Sequence, residues 1–303
     1  MRTIFTSFAN ENEKRDLVRS EDAAFFSRVS AVAERLSNET DLKVLTVSGA
    51  SCSGKTTTAN MIDTALERGG RRVHTISLDD FFFSRSELEK RAEETGSKLD
   101  FDSPDTLDLA ALATVTEAAF SGGRMLVPQF DFQVGERAGT VDFGFPRPED
   151  IYLFEGIQAV YPDVTALLSR HHYRSVFLWV GEDAGYGDVV FTIDDIRFLR
   201  RLVRDARFRS ANPEFTFRIW ETVRANEEKN IFPFADACDH KISTYHAYEL
   251  NMLRDDAIRL LSEVGTGSPW YGEAQGLIER LTPIPPISPS HLTEQSLFHE
   301  FFG

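Results

Sequence analysis

The segment Gly49-Ala50-Ser51-Cys52-Ser53-Gly54-Lys55-Thr56 places four residues between two glycines and follows them with Lys and Thr, a pattern that cradles nucleotide phosphates. It restricts the fold as much as the ligand, because the motif works only as the turn from a buried strand into a helix. Residues 42–48, Leu-Lys-Val-Leu-Thr-Val-Ser, are β-branched and apolar enough for such a strand, and Thr57 to Glu67 reads as the helix. Small residues let successive backbone N–H groups turn toward phosphate oxygens at a helix N-terminus, where unpaired donors and the helix dipole favour negative charge. Gly49, Ala50, Ser51, Cys52, Ser53 and Gly54 are therefore the expected cradle for ATP, with Thr57 following in the first helical turn. Lys55 is expected to reach the β- and γ-phosphates and follow charge into the transition state, and the Thr56 hydroxyl to coordinate magnesium. Cys52 has two readings, a thiol made reactive by the helix N-terminus or simply a small loop residue.

Around this motif the chain alternates strand and helix. Residues 11–38 carry Leu17, Phe25, Val29, Val32 and Leu36 at helical spacing and predict an amphipathic helix packed on the core. Arg72 to Leu78 reads as a second strand that ends in Asp79-Asp80, and Asp150 to Gly156 as another that ends in Glu155. Tyr173 to Val180 is a further strand, and Asp239 to Thr244 a short last one. Residues 125–145, with Gly135 and Gly139 between apolar runs, predict a β-hairpin excursion that walls a substrate pocket. Tyr245 to Val264 reads as an amphipathic helix, and Pro283, Pro285, Pro286 and Pro289 precede an apolar C-terminus. The expected fold is α/β, a P-loop NTPase fold with a doubly wound parallel sheet, the hairpin excursion and a helical C-terminal extension. Carboxylates at strand C-terminal ends stand where parallel sheets place ligands.

The chain's 303 residues can bury a full α/β core. Its 33 basic against 48 acidic residues, net charge -15, disfavour a nucleic-acid or anionic-membrane surface, so local basic residues must hold any anionic ligand. Ile196 to Arg209 reverses that balance. Arg197, Arg200, Arg201, Arg204 and Arg207 recur every three or four positions, so several can converge on one polyphosphate, with Arg209 pointing elsewhere. The alternative is a solvated basic face paired with Asp194, Asp195 and Asp205. Two cysteines, Cys52 and Cys238, make no disulfide framework, and no apolar run near the N-terminus suits a signal peptide or membrane span, so a reducing cytoplasm is the expected location.

A P-loop alone does not separate kinases from other NTPases. Phosphoryl transfer also needs a carboxylate for the acceptor proton, magnesium, and cations over the phosphates. Asp79 is placed to take a proton from an acceptor hydroxyl, with Asp80 as the alternative base and Asp79 then a helix cap. Glu155 can hold magnesium through water, and Arg201 and Arg204 can close over the phosphates. Asp102 is either a hydroxyl-binding group or part of an Asp-Ser-Pro turn. His171, His172 and His246 have no partner that sequence identifies.

Taken in order, the P-loop segment, Ser77-Leu78-Asp79-Asp80-Phe81-Phe82, Phe101-Asp102-Ser103-Pro104-Asp105, Val127-Pro128-Gln129-Phe130-Asp131-Phe132, Phe154-Glu155-Gly156 and Arg200-Arg201-Leu202-Val203-Arg204-Asp205 resemble uridine kinases and the wider phosphoribulokinase group. Arg204-Asp205-Ala206-Arg207-Phe208-Arg209, residues 227–234 and the ending Glu300-Phe301-Phe302-Gly303 look like bacterial uridine-kinase-like proteins often fused behind a threonyl-tRNA-synthetase-like region, which is expected to be absent here. The resemblance implies that Asp79 is the general base toward a ribose 5′-hydroxyl and that Asp102 binds ribose hydroxyls. It also implies magnesium contacts at Thr56 and Glu155, and phosphate contacts from Arg201 and Arg204. Asp80, Phe130, Arg137 and Arg209 complete the expected acceptor-side set. Uridine kinases proper have Tyr where this chain has Phe130 and His where it has Gly135, so two polar groups that would read a pyrimidine are missing, which argues for a different or broader acceptor.

The organisation expected from these readings is an N-terminal helical segment over 1–41, a P-loop kinase domain over 42–265 and a Pro-containing tail over 266–303 that docks on the core. The expected activity is ATP- and magnesium-dependent transfer to a hydroxyl of a small molecule, with uridine or another nucleoside first among acceptors. A sugar or polyol kinase and a non-catalytic ATP-binding regulatory protein are the alternatives. Self-association into a homo-oligomer is open on the sequence.

Overall fold

The computed structural model describes residues 1–95, 103–131 and 134–303. Five strands form one parallel sheet, ordered His240–Ser243, Tyr173–Trp179, Val44–Gly49, Ile151–Glu155 and Val73–Ser77 from edge to edge. Both faces are covered, and this is why the strands read as continuous apolar runs. Leu45, Val47, Leu153, Val176 and Leu178 join one buried cluster, whereas Val44, Tyr152, Phe154 and Phe177 join the cluster on the opposite face.

The first face is covered by the helix Glu11–Ser37, the P-loop helix Lys55–Arg68 and the helix Glu249–Leu261. Glu11–Ser37 starts where the Asn10 side chain accepts hydrogen bonds from the Asn12 and Glu13 amides, and it buries Val18, Phe25, Val29, Val32 and Leu36. On the other face Leu109–Ser121 supplies Leu112 and Val115. The expected hairpin is present as the antiparallel pair Met125–Asp131 and Glu136–Gly144. Among the described residues no helix is long and apolar enough to cross a membrane.

Two features go beyond the sequence reading. Arg2–Thr3, Ala184–Tyr186 and Val189–Phe191 form a small separate sheet, and strands of two or three residues are too short to show a period. A helix, Tyr271–Leu281, buries Ala274, Leu277 and Leu281 within the segment read as tail. Its Gly272 and Gly276 obscured it, since glycine is a poor helix former. Beyond it Ile284, Ile287, Leu297, Phe298 and Phe301 all join the core cluster. Asp22 pins this end of the chain to the first helix, accepting hydrogen bonds from the hydroxyls of Tyr248 at 2.6 Å, Thr293 at 2.7 Å and Ser296 at 3.1 Å.

Candidate active site

The sheet delivers Gly49 at the end of its central strand, and the loop turns through Gly54 into the helix that begins at Lys55. Gly54 has φ of +85°, a conformation side chains rarely adopt. Cys52 takes φ of +60° without that freedom and is buried, which suits a loop whose shape is imposed by its surroundings. Thr58 caps the turn by donating to the Gly54 carbonyl at 2.8 Å, and Lys55 Nζ donates to the Ala50 carbonyl at 3.0 Å. Thr56 is exposed beside it.

Those surroundings are largely the arginine-rich helix, Ile193–Phe208, started by a capping box between Thr192 and Asp195. Its arginines divide into three groups instead of converging on one point. Arg197 and Arg200 are buried and brace the loop from outside: Arg197 Nε donates to the Ser51 carbonyl and Arg200 Nη1 to the Cys52 carbonyl. Each is neutralised by a buried carboxylate, Arg197 by Glu227 and Arg200 by Glu249 at 2.6 Å. Arg201 and Arg204 instead gather on the buried Asp205, at 3.1 and 2.8 Å, with Arg209 at 3.6 Å. Arg201 also donates from Nη1 to the Ser51 hydroxyl at 2.8 Å, which brings its guanidinium to the loop. Arg207 turns to Asp256 and the Phe302 carbonyl. Neither the fully convergent face nor the solvated one describes this helix, because the partners of Arg197 and Arg200 come from distant segments.

The carboxylates follow from strand register. Glu155 pairs with Val47 on one side and Ser77 on the other, so it stands at the ligand end of the sheet beside the P-loop strand. Ser77 donates its hydroxyl to Glu155 at 2.9 Å. Burial pushes the Glu155 carboxyl up to about 6, the Asp79 charge adds to the rise, and Lys55 offsets only part of it. Asp79 follows the edge strand, and its Oδ1 accepts a hydrogen bond from Gln158 Nε2 at 2.8 Å. Gln158 is almost fully buried, and sequence reading missed it; its signal was a place three residues after Glu155. Asp80 points to the hairpin, accepting the Phe130 amide at 2.9 Å. Burial pushes its carboxyl up, the Phe130 amide pulls it part-way back, and Asp79 adds to the rise.

On the acceptor side, Arg137 donates to the Phe81 and Phe82 carbonyls and pairs with Asp108 at 3.0 Å, fastening the hairpin beside Asp79 and Asp80. Phe130 meets Phe82 edge to face. Gly135 has φ of +79°, and a Cβ there would lie 3.1 Å from Arg85 Nε, so a side chain here would be strained and would press on the arginine that packs beside the position. Asp102 lies outside the described residues. Of the histidines, His172 bridges Glu39 and Asp41, His246 holds the Thr244 carbonyl and His171 stacks on Phe120. All three serve the scaffold.

Thr56 and Glu155 suit a hard cation. Glu155 is a buried oxygen donor without full neutralisation, which a divalent ion would supply. The described residues hold no group of three or more His, Cys, Asp or Glu that would bind a metal unaided. An ion here would take its other ligands from phosphate and water, as magnesium does.

A parallel sheet with a glycine-turned phosphate loop, flanking carboxylates and gathered arginines defines a nucleotide-binding protein of the P-loop kinase class. The sequence profile of the Phosphoribulokinase / Uridine kinase family matches residues 44–249, and the chain belongs to that family of small-molecule kinases. It is 30% identical over 172 residues to the uridine kinase of Deinococcus deserti, covering 56% of this chain and 72% of that one. The uridine kinase of Halobacterium salinarum is 28% identical over 189 residues, 62% of this chain and 73% of that one. The solved structure of the YGR205w protein superposes with a TM-score of 0.51 at 16% identity over 66% of this chain and 82% of that one, a likeness of fold.

Proposed function

We propose that the protein transfers the γ-phosphoryl group of ATP, with magnesium, to a hydroxyl of a nucleoside or a related ribose-bearing compound, with uridine the first acceptor to try. The observation that carries this reading is the position of Asp79. It stands at the ligand end of the sheet, near enough to Glu155 for the two charges to interact and next to Asp80, which meets the hairpin, with one carboxylate oxygen held by Gln158. In this reading the loop amides and Lys55 hold the phosphates, and Thr56 and Glu155 would hold magnesium, which would supply charge neutralisation of the phosphates. Arg201 and Arg204 sit over the transferred group, released from Asp205 toward it. Asp79 takes the acceptor proton. Arg85 beside Gly135 supports an acceptor pocket different from a pyrimidine-reading one. ADP release measured across nucleosides, sugars and polyols tests the reading: stimulation by at least one acceptor supports it, and none across the panel removes it.

Glu155 also predicts how pH and magnesium interact. A carboxyl whose folded-state value is raised from 4.5 to about 6 costs the metal-free fold stability as pH rises across that window, roughly 2 kcal/mol in all. Glu155→Gln is therefore expected to raise the melting temperature above pH about 6 in the presence of a chelator. With ATP present, the stabilisation that magnesium gives the wild type should grow as pH rises through the same window and shrink in the variant. Melting curves in chelator, and in ATP with and without magnesium, read the two effects.

A further inference from the structure

The C-terminal segment reaches the phosphate-binding loop. Leu297, Phe298 and Phe301 are fully buried, Leu297 so close to Gly54 that a Cβ there would lie 2.3 Å from its Cδ1. Phe298 and Phe301 pack under the Arg200 guanidinium, 5.3 and 5.6 Å from its centre. Glu300 lies between the buried Phe298 and Phe301, and its carboxylate accepts a hydrogen bond from the Thr57 hydroxyl at 3.4 Å. Thr57 lies in the first turn of the P-loop helix, where backbone donors and the helix dipole favour an anion. The Glu300 charge adds the smallest of several contributions that raise the Glu155 carboxyl and the Arg204 guanidinium.

We propose that Glu300 is a tethered anion that competes with the phosphate chain of the nucleotide at the N-terminus of the P-loop helix, and so sets the affinity for MgATP. The proposal rests on the P-loop reading above. The buried Phe298 and Phe301 anchor this stretch of backbone beside the loop, so the carboxylate acts as a constant brake on binding and not as a detachable lid. Glu300 is only half-buried, and its side chain can be neutralised without opening the core.

The test is titration of MgATP, without acceptor, into the full-length wild type and the variants Glu300→Gln, Glu300→Ala and Lys55→Ala. Both Glu300 variants are expected to bind MgATP roughly two- to fivefold more tightly, the worth of one charge at a helix N-terminus. Unchanged or weaker binding in the two Glu300 variants would overturn the proposal, weaker binding meaning that the carboxylate helps to hold the nucleotide or its magnesium. Lys55→Ala separates this from the underlying reading. If that variant binds MgATP as well as the wild type does, the P-loop assignment fails whatever Glu300 does.

Discussion

Asp79→Asn is expected to lower kcat by about 10²–10⁴-fold, the usual worth of a positioned general base, while MgATP binds as it does to the wild type. The substitution keeps the shape of the side chain, and Gln158 Nε2 can still donate to the remaining oxygen as it does to Asp79 Oδ1 at 2.8 Å. What is lost is the ability to accept a proton from the acceptor hydroxyl. Asp80→Asn should do less, because that carboxylate is engaged by the Phe130 amide at 2.9 Å and serves to join the strand end to the hairpin. Coupled ADP release gives kcat and calorimetry the nucleotide affinity. If the Asp80 variant lost activity and the Asp79 variant kept it, the two roles would be exchanged.

Arg200→Leu is expected to destabilise the protein by about 3–5 kcal/mol, because it strands a buried carboxylate. Arg200 is fully buried, binds Glu249 at 2.6 Å, and donates to Thr244 and Cys52 carbonyls at 2.8 and 3.2 Å. Burial already pushes the Glu249 carboxyl up against the pull of the arginine, so without it the group would be forced to take a proton. Removing both charges, as Arg200→Leu with Glu249→Leu, should recover a large part of the loss, since the penalty lies in the unpaired charge. Urea unfolding of the two variants measures this. A single variant as stable as the wild type would show that the pair does not hold the loop and the helix together.

These two residues also mark what can be read from sequence and what cannot. The strand that runs into Asp79 and the one that ends in Glu155 announce the site, because apolar runs closed by a carboxylate are visible in a local window and a parallel sheet brings those ends together. The P-loop is legible for the same reason, its chemistry lying within eight consecutive residues. Arg200 looks like a phosphate ligand beside Arg201, since helical spacing cannot tell which of two adjacent guanidinia meets a carboxylate 49 positions away. Glu300 is further still, 243 residues from Thr57, and nothing local distinguishes it from a surface acid. At Gly135 the missing side chain is evident in the sequence, but the arginine that packs there is not. The helix Tyr271–Leu281 escaped notice because Gly272 and Gly276, both poor helix formers, lower its local propensity although they lie off its buried face.

Phosphoryl transfer itself is the central claim, and label transfer tests it most directly. The protein is incubated with γ-labelled ATP, magnesium and a panel of nucleosides, sugars and polyols, and the products are separated and identified by mass. The account predicts label on a hydroxyl of one acceptor in the wild type, and none above background with Asp79→Asn. Label found only as inorganic phosphate, or equal labelling of an acceptor by both proteins, would contradict it.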